Sequence, residues 1–202
     1  LTRASGIDAL THCMEAYVSM MHTVFSDAMA KEAIVEIFTY LPRAYHNGKD
    51  DLEAREHMAH AATLAGISFA NAFLGIDHSL GHKLGAYHHL PHGVCVSLML
   101  DEVMKYNASE RPVKMGTFSQ YQAPEALHRY AEIADLLNLG GKNDEEKLRR
   151  LIKKVDELKK DIELPLTIQE AGIEEQAFLS SLKEMSLAAF NDQCTGTNPR
   201  YP

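Results

Sequence analysis

The sequence predicts an all-α fold, a multi-helix bundle of eight or nine helices in one domain over residues 1–202. Three observations predict it. Apolar residues recur three and four apart along almost the whole chain, the spacing of a helix with one buried face. No run alternates apolar and polar residues as a half-buried strand does. No repeat of about 20–50 residues, low-complexity stretch or linker divides the chain. At 202 residues, folding buries about 70% of the unfolded chain's surface, enough for a core that needs neither metal nor disulfide.

The first helix spans residues 5–18. In the second, 26–45, Ala30, Ala33, Ile34, Ile37, Phe38 and Leu41 form the stripe, and Ser26-Asp27 supplies a cap and an acidic first turn. Residues 50–72 carry Ala61, Ala62, Leu64, Ala65, Ile67 and Phe69. This dense, small-residue surface predicts burial on several sides and a place at the centre. The helix at 76–89 stops before Pro91, which suits the first position of the next, running through Val94, Val96, Leu98, Met99, Leu100 and Val103 to Asn107. Pro112, Gly116 and Pro124 then break the pattern. Helices at 126–139 and 145–162 are separated by Gly140-Gly141. The second of these puts Leu148, Leu151, Ile152, Val155 and Leu158 on one stripe and its charge run on the wet face. Residues 167–171 and 174–190 complete the helices.

Composition excludes some functions. With 20 Lys plus Arg against 28 Asp plus Glu and a net charge of −8, the chain is not expected to bind nucleic acid, which asks for excess basic residues on one face. No apolar run reaches the roughly 18–20 residues of a membrane span, so no membrane partner is expected, and residues 1–6 lack a signal-peptide layout. Cys13, Cys95 and Cys194, an odd number without a C-x-x-C pair, read as small packed residues and suit the reducing cytoplasm. The methionines read as core filler. Because residue 1 is not Met and the chain stops at Tyr201-Pro202 without a charged tail, the sequence reads as a piece of something longer.

The feature to explain is the 11 histidines, about double an ordinary share. Asp8 and His12 lie four apart, so carboxylate and imidazole project from one helix face. His78 with His82, and His88 with His92, repeat that spacing. No pair is specific alone. The run Asp77-His78-Ser79-Leu80-Gly81-His82-Lys83-Leu84-Gly85 is flanked by Gly75 and Gly85, which suit close approach of backbone to a ligand or another helix. His92 stands between Pro91 and Gly93 at the start of the following helix. Spacing leaves open whether His78 works with His82 or with His92. Without nearby thiolates, carboxylate plus imidazole selects iron, zinc or a similar divalent ion. His57, His60, His88, His89 and His128 read as packing or surface residues.

Three segments in order, Gly6-Ile7-Asp8-Ala9-Leu10-Thr11-His12-Cys13-Met14-Glu15-Ala16-Tyr17, then Gly75 to Gly85, then Pro91-His92-Gly93, resemble the iron-containing (group III) alcohol dehydrogenases. The resemblance runs nearly the whole chain. Phe118-Ser119-Gln120-Tyr121, Arg129-Tyr130-Ala131-Glu132-Ile133-Ala134 and Asp192-Gln193-Cys194-Thr195-Gly196-Thr197-Asn198-Pro199-Arg200-Tyr201-Pro202 narrow it to the alcohol dehydrogenase part of bifunctional aldehyde-alcohol dehydrogenases.

The resemblance implies the helical, metal-carrying domain of the dehydroquinate synthase-like fold, preceded by a Rossmann-like nucleotide-binding domain that this chain lacks. The absence of a Gly-rich phosphate loop agrees. It implies Asp8, His12, His78 and His92 as metal ligands and His82 as a residue beside the nicotinamide. It further implies Fe²⁺ or Zn²⁺ with NAD(H), interconversion of a short-chain aldehyde and its alcohol (acetaldehyde and ethanol), and a homo-oligomer or filament. His82 is the expected carrier of a proton to the nascent alkoxide. Gly81 and Asp77 depart from the commonest family pattern; Asp77 either orients an imidazole or faces water. Two other readings stay open: a zinc-dependent polyol dehydrogenase of the glycerol type, and a helical scaffold or filament module with a structural metal.

Overall fold

A computed structural model of the chain describes residues 1–110 and 124–202. Its elements are α1 (Thr2–Val18), α2 (Val24–Asn47), α3 (Leu52–Ala72), α4 (Ile76–His88), α5 (His92–Asn107), α6 (Ala126–Leu136), α7 (Asp144–Asp161) and α8 (Glu175–Phe190), closed by a 3₁₀ turn at Gln193–Thr197. No strand occurs among the described residues, and the expected all-helical bundle is borne out. No single helix among them is long and apolar enough to cross a membrane. Pro112, Gly116 and the Phe118-to-Tyr121 motif lie outside the described residues.

The centre of the bundle is α1, not the small-residue helix α3. Ile7, Leu10, Cys13, Met14 and Ala16 are all fully buried, because α2, α3, α5 and α6 pack around α1. Gly6 permits the closest of these contacts, since a Cβ there would fall 2.3 Å from Leu41 Cδ1. In α3 only a narrow stripe is buried, Ala54, Ala61, Ala65, Ser68 and Ala72, while Ala62 and Ile67 face outward. Its alanines serve close approach on one side rather than burial on several.

Caps moved several expected boundaries. Thr23 caps α2 in a capping box with Ser26, whose hydroxyl accepts from the Thr23 N–H; Ser26 therefore sits inside the first turn rather than before it. Pro91 is the N-cap of α5, so His92 is its first helical residue. His89, in the left-handed region at φ 57°, ends α4. Residues 168–172 form turns instead of a helix, with single bonds such as Ala171 N–H to Thr167 O at 3.0 Å. A segment this short cannot repay helix nucleation.

The stripe of α7 packs as expected, with Leu148, Leu151, Val155 and Leu158 buried. Its charge run is not wholly wet, however. Lys159 is 2% exposed, donates to Asp101 Oδ2 at 2.6 Å and to Ser97 O at 3.1 Å, and so carries its charge into a paired interior site.

Candidate metal centre

Helix periodicity builds one wall of the site. Asp8, His12 and Glu15 stand at i, i+4 and i+7 of α1 and share a face. The other walls are the N-terminal turns of α4 and α5. Gly75 lets the start of α4 sit tight against α1: a Cβ there would lie 2.8 Å from Glu15 Oε1 and 2.6 Å from Asn198 Oδ1. Those two oxygens accept from the otherwise free first N–H groups of the helix, Asp77 N to Glu15 Oε1 at 2.7 Å and Ile76 N to Asn198 Oδ1 at 3.2 Å. Gly93 does the same for α5, since a Cβ would come within 1.9 Å of Ala4 O. Gly81 brings α4 and α5 together at Val96, 2.7 Å from where its Cβ would be. Both helices thereby present a histidine, His78 and His92, to Asp8.

Three imidazoles converge on one carboxylate oxygen. From Asp8 Oδ1 the Nε2 atoms of His92, His78 and His12 lie at 3.2, 3.5 and 3.8 Å. Donors about 2.1 Å from a tetrahedral ion stand about 3.4 Å apart; Asp8, His12 and His78 offer donors that all lie within 4.8 Å of one another, and His92 reaches the same Asp8 oxygen from α5. Asp8 Oδ1 and His78 Nε2 are buried with no hydrogen-bond partner among the described residues, which a bound cation would resolve. The set of one carboxylate and three imidazoles fits Fe²⁺ or Zn²⁺.

Glu15, which no sequence argument singled out, is 3% exposed and accepts from His78 Nδ1 at 2.6 Å. It fixes the ring with Nε2 toward Asp8. Its position seven residues after Asp8 and three after His12 was the available signal. Asp77, by contrast, neither faces water nor orients an imidazole: it is fully buried, its two carboxylate oxygens lack partners among the described residues, and burial pushes its carboxyl well above the usual range.

The charges of the cluster act on one another. Burial works to raise the Asp8 carboxyl, but the His78 and His92 imidazoles outweigh it and hold Asp8 well below the carboxylate range. Burial lowers His12 to about 4, with Asp8 opposing only in part. Burial also disfavours the His78 imidazolium, yet Asp8 and Glu15 on its two nitrogens raise it to about 10.

His82 lies beside the cluster, its ring 5.4 Å from that of His92 and 5.9 Å from that of His78. It does not point at Asp8. Its Nδ1 faces Asp192 Oδ2 at 3.3 Å, an oxygen that also accepts from Lys83 Nζ at 2.7 Å. Asp192 opens the C-terminal segment, which also ties α4 and α5 together through Asn198 and Asn107 (2.7 and 3.2 Å). A 360 Å³ cavity lined by Phe69, Ala70, Phe73, Leu74, Gln193 and Cys194 adjoins the centre, and Phe69 stacks on His12 at 4.4 Å. Phe73 on its rim holds φ 61° and ψ −169°, a conformation normally left to glycine. Cys13, Cys95 and Cys194 are buried free thiols, each pushed up by burial and not poised as nucleophiles.

Residues 2–202 match the model of the Fe-containing alcohol dehydrogenase family, C-terminal part. The chain belongs to the iron-containing alcohol dehydrogenase family. It is 50% identical over 202 residues to an aldehyde-alcohol dehydrogenase of Clostridium acetobutylicum, covering 100% of this chain and 23% of that protein. It is 48% identical over 199 residues to a bifunctional aldehyde-alcohol dehydrogenase of Escherichia coli K12, covering 98% and 22%. Among solved structures, an iron-containing alcohol dehydrogenase from Thermococcus thioreducens superposes with a TM-score of 0.82 at 35% identity, covering 100% of this chain and 47% of that one. The resemblance to the alcohol dehydrogenase part of bifunctional aldehyde-alcohol dehydrogenases is thus borne out. The chain spans less than a quarter of these curated relatives.

Proposed function

We propose that this domain is the metal-bearing half of an NAD-dependent alcohol dehydrogenase interconverting a short-chain aldehyde, acetaldehyde, and its alcohol, ethanol. The observation that carries the reading is the convergence of three Nε2 atoms on Asp8 Oδ1 within 3.2–3.8 Å. Asp8, His12, His78 and His92 hold the ion, Fe²⁺ in the first instance and Zn²⁺ in the second. A bound divalent ion supplies Lewis acidity toward the carbonyl oxygen, which makes the carbonyl carbon a better hydride acceptor.

The chain's own residues do the rest. Glu15 orients the His78 ring, so that the ligand nitrogen needs no reorganisation. Phe69, Phe73 and Leu74 give the adjoining cavity an apolar wall, which suits a short alkyl group and disfavours a polyol that would bring hydroxyls without partners. They also keep water from the reacting carbon. Asp192 engages His82 Nδ1, leaving Nε2 to move a proton to the product alkoxide through the ribose or a water. The nicotinamide is delivered by a preceding nucleotide-binding domain, in a homo-oligomer or filament. Three unpaired thiols suit work in the reducing cytoplasm.

The test is metal analysis of the full-length protein, purified anaerobically, together with ethanol-dependent reduction of NAD⁺. One iron per chain and turnover of ethanol are expected. His92→Ala should empty the centre. Full occupancy in that variant would overturn the ligand set, and turnover of glycerol in place of ethanol would move the substrate to the polyols.

A further inference from the structure

A second cluster of ligand-type side chains lies away from this centre, on the outer face of α2 and α3. Glu36 of α2 and His57 and His60 of α3 each offer a donor atom, and the three donors lie within 4.8 Å of one another. His57 and His60 are three apart and so share a helix face. Glu36 Oε1 meets His57 Nδ1 at 2.9 Å, a hydrogen-bond distance that needs to open by only about 0.5 Å for both atoms to sit on one tetrahedral ion. Its other oxygen, Oε2, is buried with no hydrogen-bond partner among the described residues. A lone ion pair would not need that second oxygen turned inward and left bare.

The two anchoring groups are held. The Glu36 side chain is only 13% exposed, and the His57 ring lies flat on Tyr40 at 3.9 Å with an interplanar angle of 1°. His60 is exposed, its ring 6.1 Å from that of His57, and is free to rotate onto a shared ion. We propose that Glu36, His57 and His60 form a second divalent-metal site, selective for zinc-like ions that favour imidazole with carboxylate. Three protein donors leave the remaining positions to water, so the ion is exchangeable. Bound there, it clips α2 to α3 and stabilises the fold by mass action.

The test uses the full-length protein with its iron centre filled under anaerobic conditions, dialysed against micromolar Zn²⁺ and analysed for both metals. Wild type should take up about one extra zinc per chain, and its melting temperature should rise with zinc. His60→Ala, at an exposed position that does not endanger folding, and His57→Gln should weaken the extra zinc at least about tenfold and lose the thermal shift, with iron content unchanged. His128→Ala, an exposed histidine paired with a single carboxylate, Asp144, should keep both. The proposal is overturned if wild type takes up no extra zinc, if His60→Ala and His57→Gln retain it, or if His128→Ala loses it equally.

Discussion

Replacing Glu15 by Gln isolates the role of a residue that touches no substrate. The glutamine fits the same space, and its Oε1 can still accept the Asp77 N–H that Glu15 takes at 2.7 Å. Its amide nitrogen then faces His78 Nδ1, where the carboxylate accepted at 2.6 Å. Two donors cannot meet there, so the ring must move its proton to Nε2, the atom needed for the metal. If the amide flips instead, the clash passes to the Asp77 N–H. Metal binding strips Nε2 and returns the ring proton to Nδ1, so in the metal-bound state either arrangement leaves one buried donor unsatisfied, at a cost of about 1–3 kcal/mol. That corresponds to the 10–100-fold loss of metal affinity typical of removing such an outer partner, about 1.4–2.7 kcal/mol. The assay is competition between the full-length protein and a chelator of known affinity, read by metal content, for wild type and Glu15→Gln. Affinity within about threefold of wild type would refute the argument that Glu15 sets the His78 tautomer.

Three further outcomes follow from the same geometry. His82→Gln should keep full metal occupancy while lowering the hydride-transfer rate about 10²-fold and flattening its pH dependence in single-turnover measurements; an unchanged rate and profile removes His82 from proton transfer. Gly93→Ala places a methyl 1.9 Å from Ala4 O, so α1 and α5 must separate, and urea unfolding should register a loss of about 1–3 kcal/mol; a wild-type midpoint would show that the two helices do not pack this closely. For Asp192, burial raises the carboxyl but Lys83, the Cys194 N–H and His82 outweigh it and lower it from 3.8 to about 2. Because the folded-state value is depressed, its stabilisation is complete above about pH 4 and disappears as pH falls through about 2, an effect of about 1–2 kcal/mol. Asp192→Asn should show that much less acid destabilisation between pH 5 and 2, and equal losses in both proteins would sink the assignment.

The sequence by itself determined the helices, because three-and-four periodicity is a local property of the chain. It missed boundaries where a cap decided them: Thr23 and Ser26 trade hydrogen bonds that periodicity does not register. It read α3 as central because small apolar residues look alike whether a helix is surrounded or merely approached closely on one side. Asp8 and His12 were legible as a pair on one helix face, since α1 alone sets their spacing. The family resemblance pointed to His78 and His92, while spacing left His78 open to either His82 or His92. Tertiary structure decided that arrangement: Gly81 against Val96 and Gly93 against Ala4 bring the starts of α4 and α5 onto α1, turning His78 and His92 toward Asp8 and leaving His82 to Asp192. Glu15 and Lys159 make the same point. Both are charged residues on otherwise amphipathic helices, and only the partners folded around them, His78 for one and Asp101 for the other, make their burial affordable.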